Sequence, residues 1–216
     1  MQKLLKIALI GPGKLGRAIS ALASEDPSIQ IAATLSRTSD RSHLLCDILL
    51  DVSLPTALSE NLQLALSLKK PIVIGTTGLV PSDHELIRNA SGQIPIFYTP
   101  NFSLGIALMR KLAALASAHL KNAHIDLIET HHAQKKDIPS GTALALAKTI
   151  QSPVQIHSLR SGKIVGEHTL LFNTSEERLT ISHEAHSRDV YARGALAAVH
   201  FLSSRPPGLY GMDDLL

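Results

Sequence analysis

Two histidines and two lysines lie within the six residues 131–136, directly before a Ser-Gly-Thr sequence at the start of a helical pattern. A dicarboxylate ligand needs such an arrangement, because cationic side chains supply charge and the N–H groups of a helix N-terminus bind one carboxylate. Histidine and lysine also supply protons near neutral pH when burial tunes them. The segment therefore predicts a site that binds a small dicarboxylate and protonates it. Its candidate residues are His131, His132, Lys135, Ser140, Gly141 and Thr142.

Two other interpretations of this segment stay open. It could be a capped helix after a solvated basic loop, or a histidine-rich metal site. A metal ion would need a third ligand and a carboxylate close by, but Glu129, His131 and His132 point to alternating faces of a strand. We therefore predict no metal ligands.

A second chemical signal is the glycine pattern that follows the first apolar run. The first glycine of such a pattern permits a tight turn, the second lets a pyrophosphate approach the backbone, and the third lets the helix pack on the strand. Glycine-rich turns also occur without ligands, but this one lies in the first turn between a strand and a helix. It predicts dinucleotide binding by Gly11, Pro12, Gly13, Lys14, Leu15 and Gly16.

The end of the second strand is where such proteins distinguish NAD from NADP. A carboxylate there binds the ribose hydroxyls of NAD, whereas an arginine without a carboxylate favours a 2′-phosphate. Here Ser36 and Arg37 stand at the end of the strand, and the next acid along the chain is Asp40. We expect NADPH to be preferred and NADH to be used as well, unless Arg37 is simply a surface arginine.

These candidates require a scaffold of alternating strands and helices in the first hundred residues. Apolar runs predict five strands, and helical patterns at 14–23, 61–68 and 83–89 separate them. Strands that are almost continuously apolar are typical of a parallel sheet covered on both faces. The fold class is therefore α/β, with a Rossmann-type doubly wound sheet. The five predicted strands are 5–10, 29–35, 47–52, 71–75 and 94–98.

The pattern changes after Pro100. A long helix is predicted at 103–121, a strand at 124–130, and a helix at 143–150 after a polar loop. Three consecutive strand-like runs, 154–160, 164–172 and 178–184, are joined by short turns and indicate a mostly antiparallel sheet. A last helix is predicted at 189–201. We predict a dinucleotide-binding domain, 1–102 with 187–216, and an α+β substrate-binding and oligomerisation domain, 103–186.

Composition excludes several classes of protein. The 216 residues carry a net charge of only +3, spread over both halves, and there is no tryptophan, so we expect no nucleic-acid partner. The longest uncharged stretch contains prolines and polar residues, so we expect no membrane span. The single cysteine fits a reducing compartment, and we expect a cytoplasmic protein.

The stretch ETHHAQKKDIPSGTALALA at 129–147 resembles the signature of the dihydrodipicolinate reductases. Further segments agree with that family in order: GTTG at 75–78, PNFSLG at 100–105, GKIVGEHT at 162–169, and SR…A.GA at 187–195. The resemblance implies a reductase of diaminopimelate and lysine biosynthesis. In such an enzyme NAD(P)H gives a hydride to C4 of the cyclic imine dicarboxylate formed by dehydration of 4-hydroxy-tetrahydrodipicolinate.

The resemblance also implies roles for individual residues. His131 resembles the catalytic histidine, Lys135 the proton-donating lysine, and His132 a substrate-binding histidine, while Ser140, Gly141 and Thr142 hold a substrate carboxylate. The residues implied to line the dinucleotide site, in addition to the glycine turn and Arg37, are Gly75, Thr76, Thr77, Thr99, Pro100, Asn101 and Phe102.

The chain departs from the family pattern at several places. The links 37–47 and 150–156 are short, the glycine loop is one residue tighter, and Ser36 stands where many members have an acid. Family members form tetramers through the substrate domain, so a homo-oligomer is expected. Two alternatives remain: another Rossmann-type imino- or amino-acid dehydrogenase, and a non-catalytic nucleotide sensor. Fold alone does not distinguish them.

Overall fold

A computed structural model describes residues 4–41 and 43–216, and the chain forms two compact units. Unit 1 comprises Met1–Phe102 and Asp189–Leu216, and unit 2 comprises Ser103–Arg188. Within the described residues, no helix is both long enough and apolar enough to cross a membrane. We number helices and strands along the chain.

Unit 1 is built on a six-stranded sheet in which every neighbouring pair is parallel. The five predicted strands are confirmed, with ends that differ by one residue at most. A sixth strand, of three residues, was not predicted because a run of Gly, Leu and Tyr after two prolines has no strand pattern. The strands are β1 Leu5–Ile10, β2 Ile29–Leu35, β3 Ile48–Asp51, β4 Ile72–Ile74, β5 Pro95–Tyr98 and β10 Gly208–Tyr210, in the order β10-β5-β4-β3-β1-β2.

Four helices accompany this sheet: α1 Lys14–Ala23, α2 Leu58–Leu68, α3 Pro81–Ser91 and α6 Asp189–Leu202. Helix α1 packs on α6, and α2 packs on α3. Ile7, Ala8 and Leu9 of β1 are completely buried, as expected for a strand covered on both faces. Helix α3 begins two residues earlier than predicted because Pro81 is favourable in a first turn and Asp83 accepts a hydrogen bond from the N–H of Val80 at 2.9 Å.

Unit 2 contains a four-stranded sheet with two helices. The elements are α4 Leu104–His119, β6 His124–His131, α5 Gly141–Ala147, β7 Val154–Arg160, β8 Glu167–Asn173 and β9 Arg178–Glu184. The sheet order is β7-β6-β8-β9. Strand β7 is parallel to β6, and the other two pairs are antiparallel.

The expectation that β7, β8 and β9 follow one another as antiparallel neighbours is therefore wrong for β7 and β8. Strand β6 lies between them. The reason is that α5 carries the chain back to the end of the sheet where β6 began, so β7 must run parallel to β6. The sheet is mostly antiparallel, as predicted, but it is mixed.

Alternation along β6 places the candidate chemistry. Ile125, Leu127, Glu129 and His131 share one face and are all buried, and the first two join a core made with α4, α5 and β8. Towards the end of β6 this buried face changes from apolar to ionisable. A charge in such a position requires partners, and the neighbouring strands supply them.

Candidate functional site

A buried glutamate organises the end of β6. Glu129 is fully buried, and Arg160 binds it with both guanidinium nitrogens: Nη1 lies 3.0 Å from Oε2, and Nη2 lies 2.9 Å from Oε1. The other hydrogen bonds of the carboxylate come from the hydroxyl of Ser158, from Nδ1 of His131, at 2.5 Å from Oε2, and from the backbone N–H of Ser140, at 3.2 Å from Oε1. One carboxylate therefore joins a candidate histidine, an arginine and the start of α5.

The two ionisable partners in this pair are perturbed in different ways. Burial raises the pKa of Glu129, but hydrogen bonds, the strongest of them from Arg160, outweigh burial and hold this pKa at about 2. Burial lowers the pKa of His131, against the opposing effect of the Glu129 hydrogen bond and charge. At neutral pH the glutamate is therefore ionised and the imidazole is neutral.

Two further histidines continue this row across the sheet. His168 on β8 is the register partner of Glu129, and His183 on β9 is the partner of His168. The ring of His168 lies edge-on to His131, with centroids 5.2 Å apart, and its Nε2 is 3.5 Å from Oγ of Ser140. Burial and the proximity of His131 lower the pKa of His168 to about 4. His168 is consequently neutral at physiological pH.

The remaining sequence candidates of unit 2 lie in the loop between β6 and α5 and at the start of α5. Lys135 is partly exposed, and its Nζ lies 2.9 Å from Oδ1 of Asp137. His132 is half-buried, and its carbonyl accepts a hydrogen bond from the N–H of Lys135. Ser140 is the N-cap of α5, and its Oγ accepts from the N–H of Ala143. Gly141 and Thr142 form the first turn of that helix.

Arg160 also fixes the loop that carries Lys135. Its Nη2 donates to the carbonyl of Asp137 at 2.5 Å, and its Nη1 donates to the carbonyl of Leu159 at 2.6 Å. Sequence reasoning missed Arg160, His168 and His183. They lie on β7, β8 and β9, so only the strand pairing relates them to Glu129.

A cavity of about 340 Å³ lies in unit 1 where the chain order of the strands reverses, between β1 and β3. In open α/β sheets this is where ligands bind. It brings together Gly11, Pro12 and Gly13 with Ser36 and Arg37, five of the predicted dinucleotide-site residues. The other lining residues are Ile10, Leu35, Arg41, Val52, Ser53, Leu54, Thr56, Ala57 and Glu60.

The glycine turn has the geometry that a pyrophosphate requires. Gly11 has a φ of +109°, and a side chain there would lie within 3 Å of the carbonyl of Val52. A Cβ on Gly16 would lie 2.0 Å from the carbonyl oxygen of Gly11, so only glycine lets α1 pack this closely. Gly13 has open space around its Cα. The residues present therefore fit a dinucleotide.

The other predicted dinucleotide residues lie outside the cavity lining. Lys14, Leu15 and Gly16 form the first turn of α1, Gly75, Thr76 and Thr77 follow β4, and Thr99, Pro100, Asn101 and Phe102 follow β5. Thr76 is buried, and its hydroxyl has no hydrogen-bond partner within the described part of the chain, which fits a polar ligand at this edge. Phe102 is 2% exposed and its ring lies directly over Gly75.

A polar network beneath the cavity was also missed from the sequence. Asp51, at the end of β3, is fully buried and accepts hydrogen bonds from the backbone N–H and hydroxyl of Ser53 and from the amide of Asn61. The amide oxygen of Asn61 accepts from Arg41, which also lies 3.0 Å from Glu60. An acid as the last residue of an otherwise apolar strand was the signal that could have indicated this network.

Metal ligation was the other chemistry considered for the histidine cluster. Among residues 4–41 and 43–216, no three His, Cys, Asp or Glu side chains are grouped so that they could hold a metal ion.

Unit 1 has a parallel sheet with a glycine turn and a cavity where the strand order reverses, and unit 2 has a mixed sheet with a buried ionisable cluster. These features define an α/β protein with a Rossmann-type sheet and a second, mixed-sheet unit. Residues 5–102 match the family model "Dihydrodipicolinate reductase, N-terminus", and residues 105–216 match "Dihydrodipicolinate reductase, C-terminus". The chain belongs to the dihydrodipicolinate reductase family.

Individual relatives agree with this membership. A 4-hydroxy-tetrahydrodipicolinate reductase of Zymomonas mobilis subsp. mobilis is 36% identical over 247 residues, covering 98% of this chain and 97% of the relative. The enzyme of that name from Xylella fastidiosa (strain 9a5c) is 36% identical over 236 residues and is covered completely, as is this chain. That of Sulfurimonas denitrificans is 38% identical, with 89% of this chain and 84% of the relative covered.

Solved structures show the same fold. The dipicolinate-bound dihydrodipicolinate reductase from Paenisporosarcina sp. TG-14 superposes with a TM-score of 0.85 at 24% identity, covering 99% of this chain and 100% of that one. The DAP dehydrogenase of C. glutamicum, in complex with DAP, has a TM-score of 0.60 at 11% identity, covering 99% and 94%.

Proposed function

We propose that this protein is an NAD(P)H-dependent 4-hydroxy-tetrahydrodipicolinate reductase. Its substrate would be the cyclic imine formed when 4-hydroxy-tetrahydrodipicolinate loses water, and its product tetrahydrodipicolinate, on the route to diaminopimelate and lysine. The observation that carries the proposal is sequence similarity to enzymes of that name along nearly the whole chain. The relative from Xylella fastidiosa is 36% identical, with both chains covered completely.

The substrate is a dianion, and unit 2 offers cations and hydrogen-bond donors for it. Lys135 and His132 lie in the loop before α5, and Ser140, Gly141 and Thr142 form the start of that helix. We assign one substrate carboxylate to the Ser140–Thr142 turn and its neighbouring loop. Two acids accept hydrogen bonds from this turn: Glu129 from the N–H of Ser140, and Asp137 from the N–H of Gly141. Each acid is paired with a cation, Glu129 with Arg160 and Asp137 with Lys135, which limits its repulsion of the substrate.

The proton needed after reduction comes from Lys135 in this proposal. Its ammonium is partly exposed and already in an ion pair with Asp137, so a ligand carboxylate could replace that partner. His131 is buried, its ring is neutral at pH 7, and its Nδ1 is hydrogen-bonded to Glu129. We assign to it the electrostatic stabilisation of the reacting imine, with a neutral ring nitrogen.

When bound, NAD(P)H supplies the hydride. The chain would hold its phosphates at the Gly11–Gly13 turn, where the backbone is open, and its adenosine end in the cavity beside Ser36 and Arg37. The hydroxyl of Ser36 lies 3.1 Å from that of Ser39 and 3.4 Å from that of Thr38, so three hydroxyls and a guanidinium surround the end of β2. Such donors suit a 2′-phosphate, and we propose that NADPH is preferred.

We also propose that the protein acts as a homo-oligomer, a tetramer as in the family, in the cytoplasm. Exposed leucines on one side of α4, among them Leu108, Leu112 and Leu115, offer an apolar surface. Strand β9 is at the edge of the sheet and could pair with a second copy. Light scattering of the purified protein measures the assembly directly, and a monomer would contradict it.

The test of the function is a coupled assay in which the substrate is generated freshly and NADPH absorbance is followed. The proposal predicts turnover that depends on this substrate. A nucleotide sensor would bind NADPH without consuming it. Another imino- or amino-acid dehydrogenase would consume NADPH with a different imine and leave this one unchanged. Either result would contradict the proposal.

A further inference from the structure

The hydrogen bonds of Glu129 connect two parts of the site that the proposed function uses for different tasks. Oε2 accepts a hydrogen bond from Nδ1 of His131. Oε1 accepts one from the backbone N–H of Ser140, the first residue of the proposed carboxylate-binding turn. Arg160 donates to both oxygens, and the hydroxyl of Ser158 donates as well. The carboxylate thus has a full set of partners and is completely buried, with no freedom to rotate.

We propose that Glu129, clamped by Arg160, is a positioning residue that fixes His131 as the Nδ1–H tautomer, presents Nε2 to the substrate, and sets the distance between this nitrogen and the Ser140 turn. The inference rests on the proposed function, in which His131 faces the reacting imine.

The tautomer follows from the chemistry of the contact. An ionised carboxylate only accepts hydrogen bonds, so the imidazole nitrogen that touches it must carry the proton. A neutral ring has one such proton, which leaves Nε2 with its lone pair. Nε2 of His131 is therefore a hydrogen-bond acceptor, suited to orient an N–H or an ammonium group.

The charged and titratable groups around His131 come from four elements. Glu129 lies on its own strand, Arg160 on β7, His168 on β8, and Lys135 in the following loop. The positive charges of Arg160 and Lys135 lower the pKa of His131 and so disfavour a second proton on its ring, whereas the hydrogen bond and charge of Glu129 raise this pKa. This balance keeps the ring neutral near pH 7 and keeps its single proton on Nδ1.

The direct test is ¹⁵N NMR of histidine-labelled protein without substrate at pH 7.5, with the His131 signals assigned by their loss in His131→Gln. We expect the pattern of a ring protonated at Nδ1 and unprotonated at Nε2. A ring protonated at Nε2 would overturn the proposal. Because neither substrate nor turnover is involved, this measurement can fail while the proposed function stands, and the reverse.

Variants add a second readout. Glu129→Gln keeps the shape but removes the charge, and Arg160→Lys keeps a charge but loses the two-nitrogen clamp. For both variants we expect kcat to fall about 10- to 100-fold, because His131 and the Ser140 turn are misplaced, and the NADPH dissociation constant to stay unchanged. We expect the His131 signals to shift towards Nε2–H in Glu129→Gln only, because Arg160→Lys keeps the carboxylate that holds the proton on Nδ1. Wild-type kcat together with unchanged His131 signals in folded Glu129→Gln would overturn the proposal.

A matched control lies on the same strand. Asp126 on the opposite face of β6 also binds a histidine, since its Oδ1 lies 2.8 Å from Nε2 of His157. Asp126→Asn disrupts a carboxylate–histidine pair that is more exposed and lies away from the site, and we expect kcat and the His131 signals to stay as in the wild type. An equal loss of kcat in Asp126→Asn would mean that removing any such pair disturbs the sheet, and would contradict a positioning role. If Glu129→Gln does not fold, the wild-type tautomer still decides.

Discussion

Among single residues, Lys135 has the most specific proposed role, that of the proton donor. Lys135 and Lys136 are adjacent, but only Lys135 is paired with Asp137 and partly shielded. Lys135→Ala should lower kcat on the order of 10²–10⁴-fold, as loss of a general acid does, with little change in NADPH affinity. Steady-state kinetics check this, and Lys136→Ala is the control, for which we expect nearly normal kcat. The reverse pattern would move the role to Lys136.

The second prediction at this scale concerns the choice between NADPH and NADH. Because Arg37 is exposed, its contact with a 2′-phosphate is worth less than a buried one, and we expect NADPH to be favoured by about tenfold or less. Ser36→Glu places a negative charge beside that phosphate and should reverse the order. Specificity constants for both cofactors measure it. Equal constants in the wild type, unchanged in Arg37→Ala, would contradict the assignment.

The residues that could be found from sequence were those contiguous along the chain. His131, His132, Lys135 and Ser140 lie within ten positions, so their spacing alone indicated a site. The partners that complete the site could not be found from sequence. Arg160 and His168 lie 31 and 39 residues after Glu129, and only strand pairing brings them close to it.

At the scale of elements, the apolar patterns located the helices and strands but not how unit 2 pairs its strands. The runs at 154–160 and 164–172 looked like a hairpin because a short turn joins them, yet β6 inserts between them. Periodicity reports which face is buried and carries no information on which strand is adjacent. In unit 1 the order follows from the βαβ pattern, so prediction was more complete.

A prediction at this scale tests how α6 is held in unit 1. A Cβ on Gly194 would lie 1.8 Å from the carbonyl oxygen of Phe102, so the helix lies directly on that backbone. Gly194→Ala should destabilise the protein by about 1–3 kcal/mol, in spite of the better helix propensity of alanine. Urea unfolding measures this. In Gly92→Ala the nearest atom is 3.6 Å away, and this control should be close to neutral. A stabilised Gly194→Ala would contradict the packing.

At the scale of the whole molecule, the buried ionisable row predicts how stability depends on pH. His168 has a pKa lowered from 6.5 to about 4, so the unfolded chain binds its proton first and stability falls as the pH drops from about 6.5 to 4. Glu129 has a pKa lowered from 4.5 to about 2, so its contribution is present above pH 4.5 and is lost between 4.5 and 2. Both losses occur on acidification, in two successive windows.

Each buried group should account for roughly 3 kcal/mol of this loss. Urea unfolding between pH 8 and pH 2 measures the free energy of unfolding. His168→Asn should reduce the slope between pH 6.5 and 4, and the slope that remains comes from His131 and His183, whose pKa values burial also lowers. His119→Gln, at an exposed histidine, is the control and should keep the slope. A wild-type stability that is flat from pH 8 to 4 would contradict the neutral, buried state of His168.

Reduction of the cyclic imine and protonation of its neighbouring carbon can both be followed by isotope transfer. The most direct measurement uses NADPH carrying deuterium at both C4 positions, with the freshly generated substrate, and mass and NMR analysis of the product. We expect one deuterium at C4 of tetrahydrodipicolinate and, in D₂O with unlabelled NADPH, one solvent deuterium at the adjacent carbon. A product without cofactor-derived deuterium, or no product while NADPH binds, would contradict it.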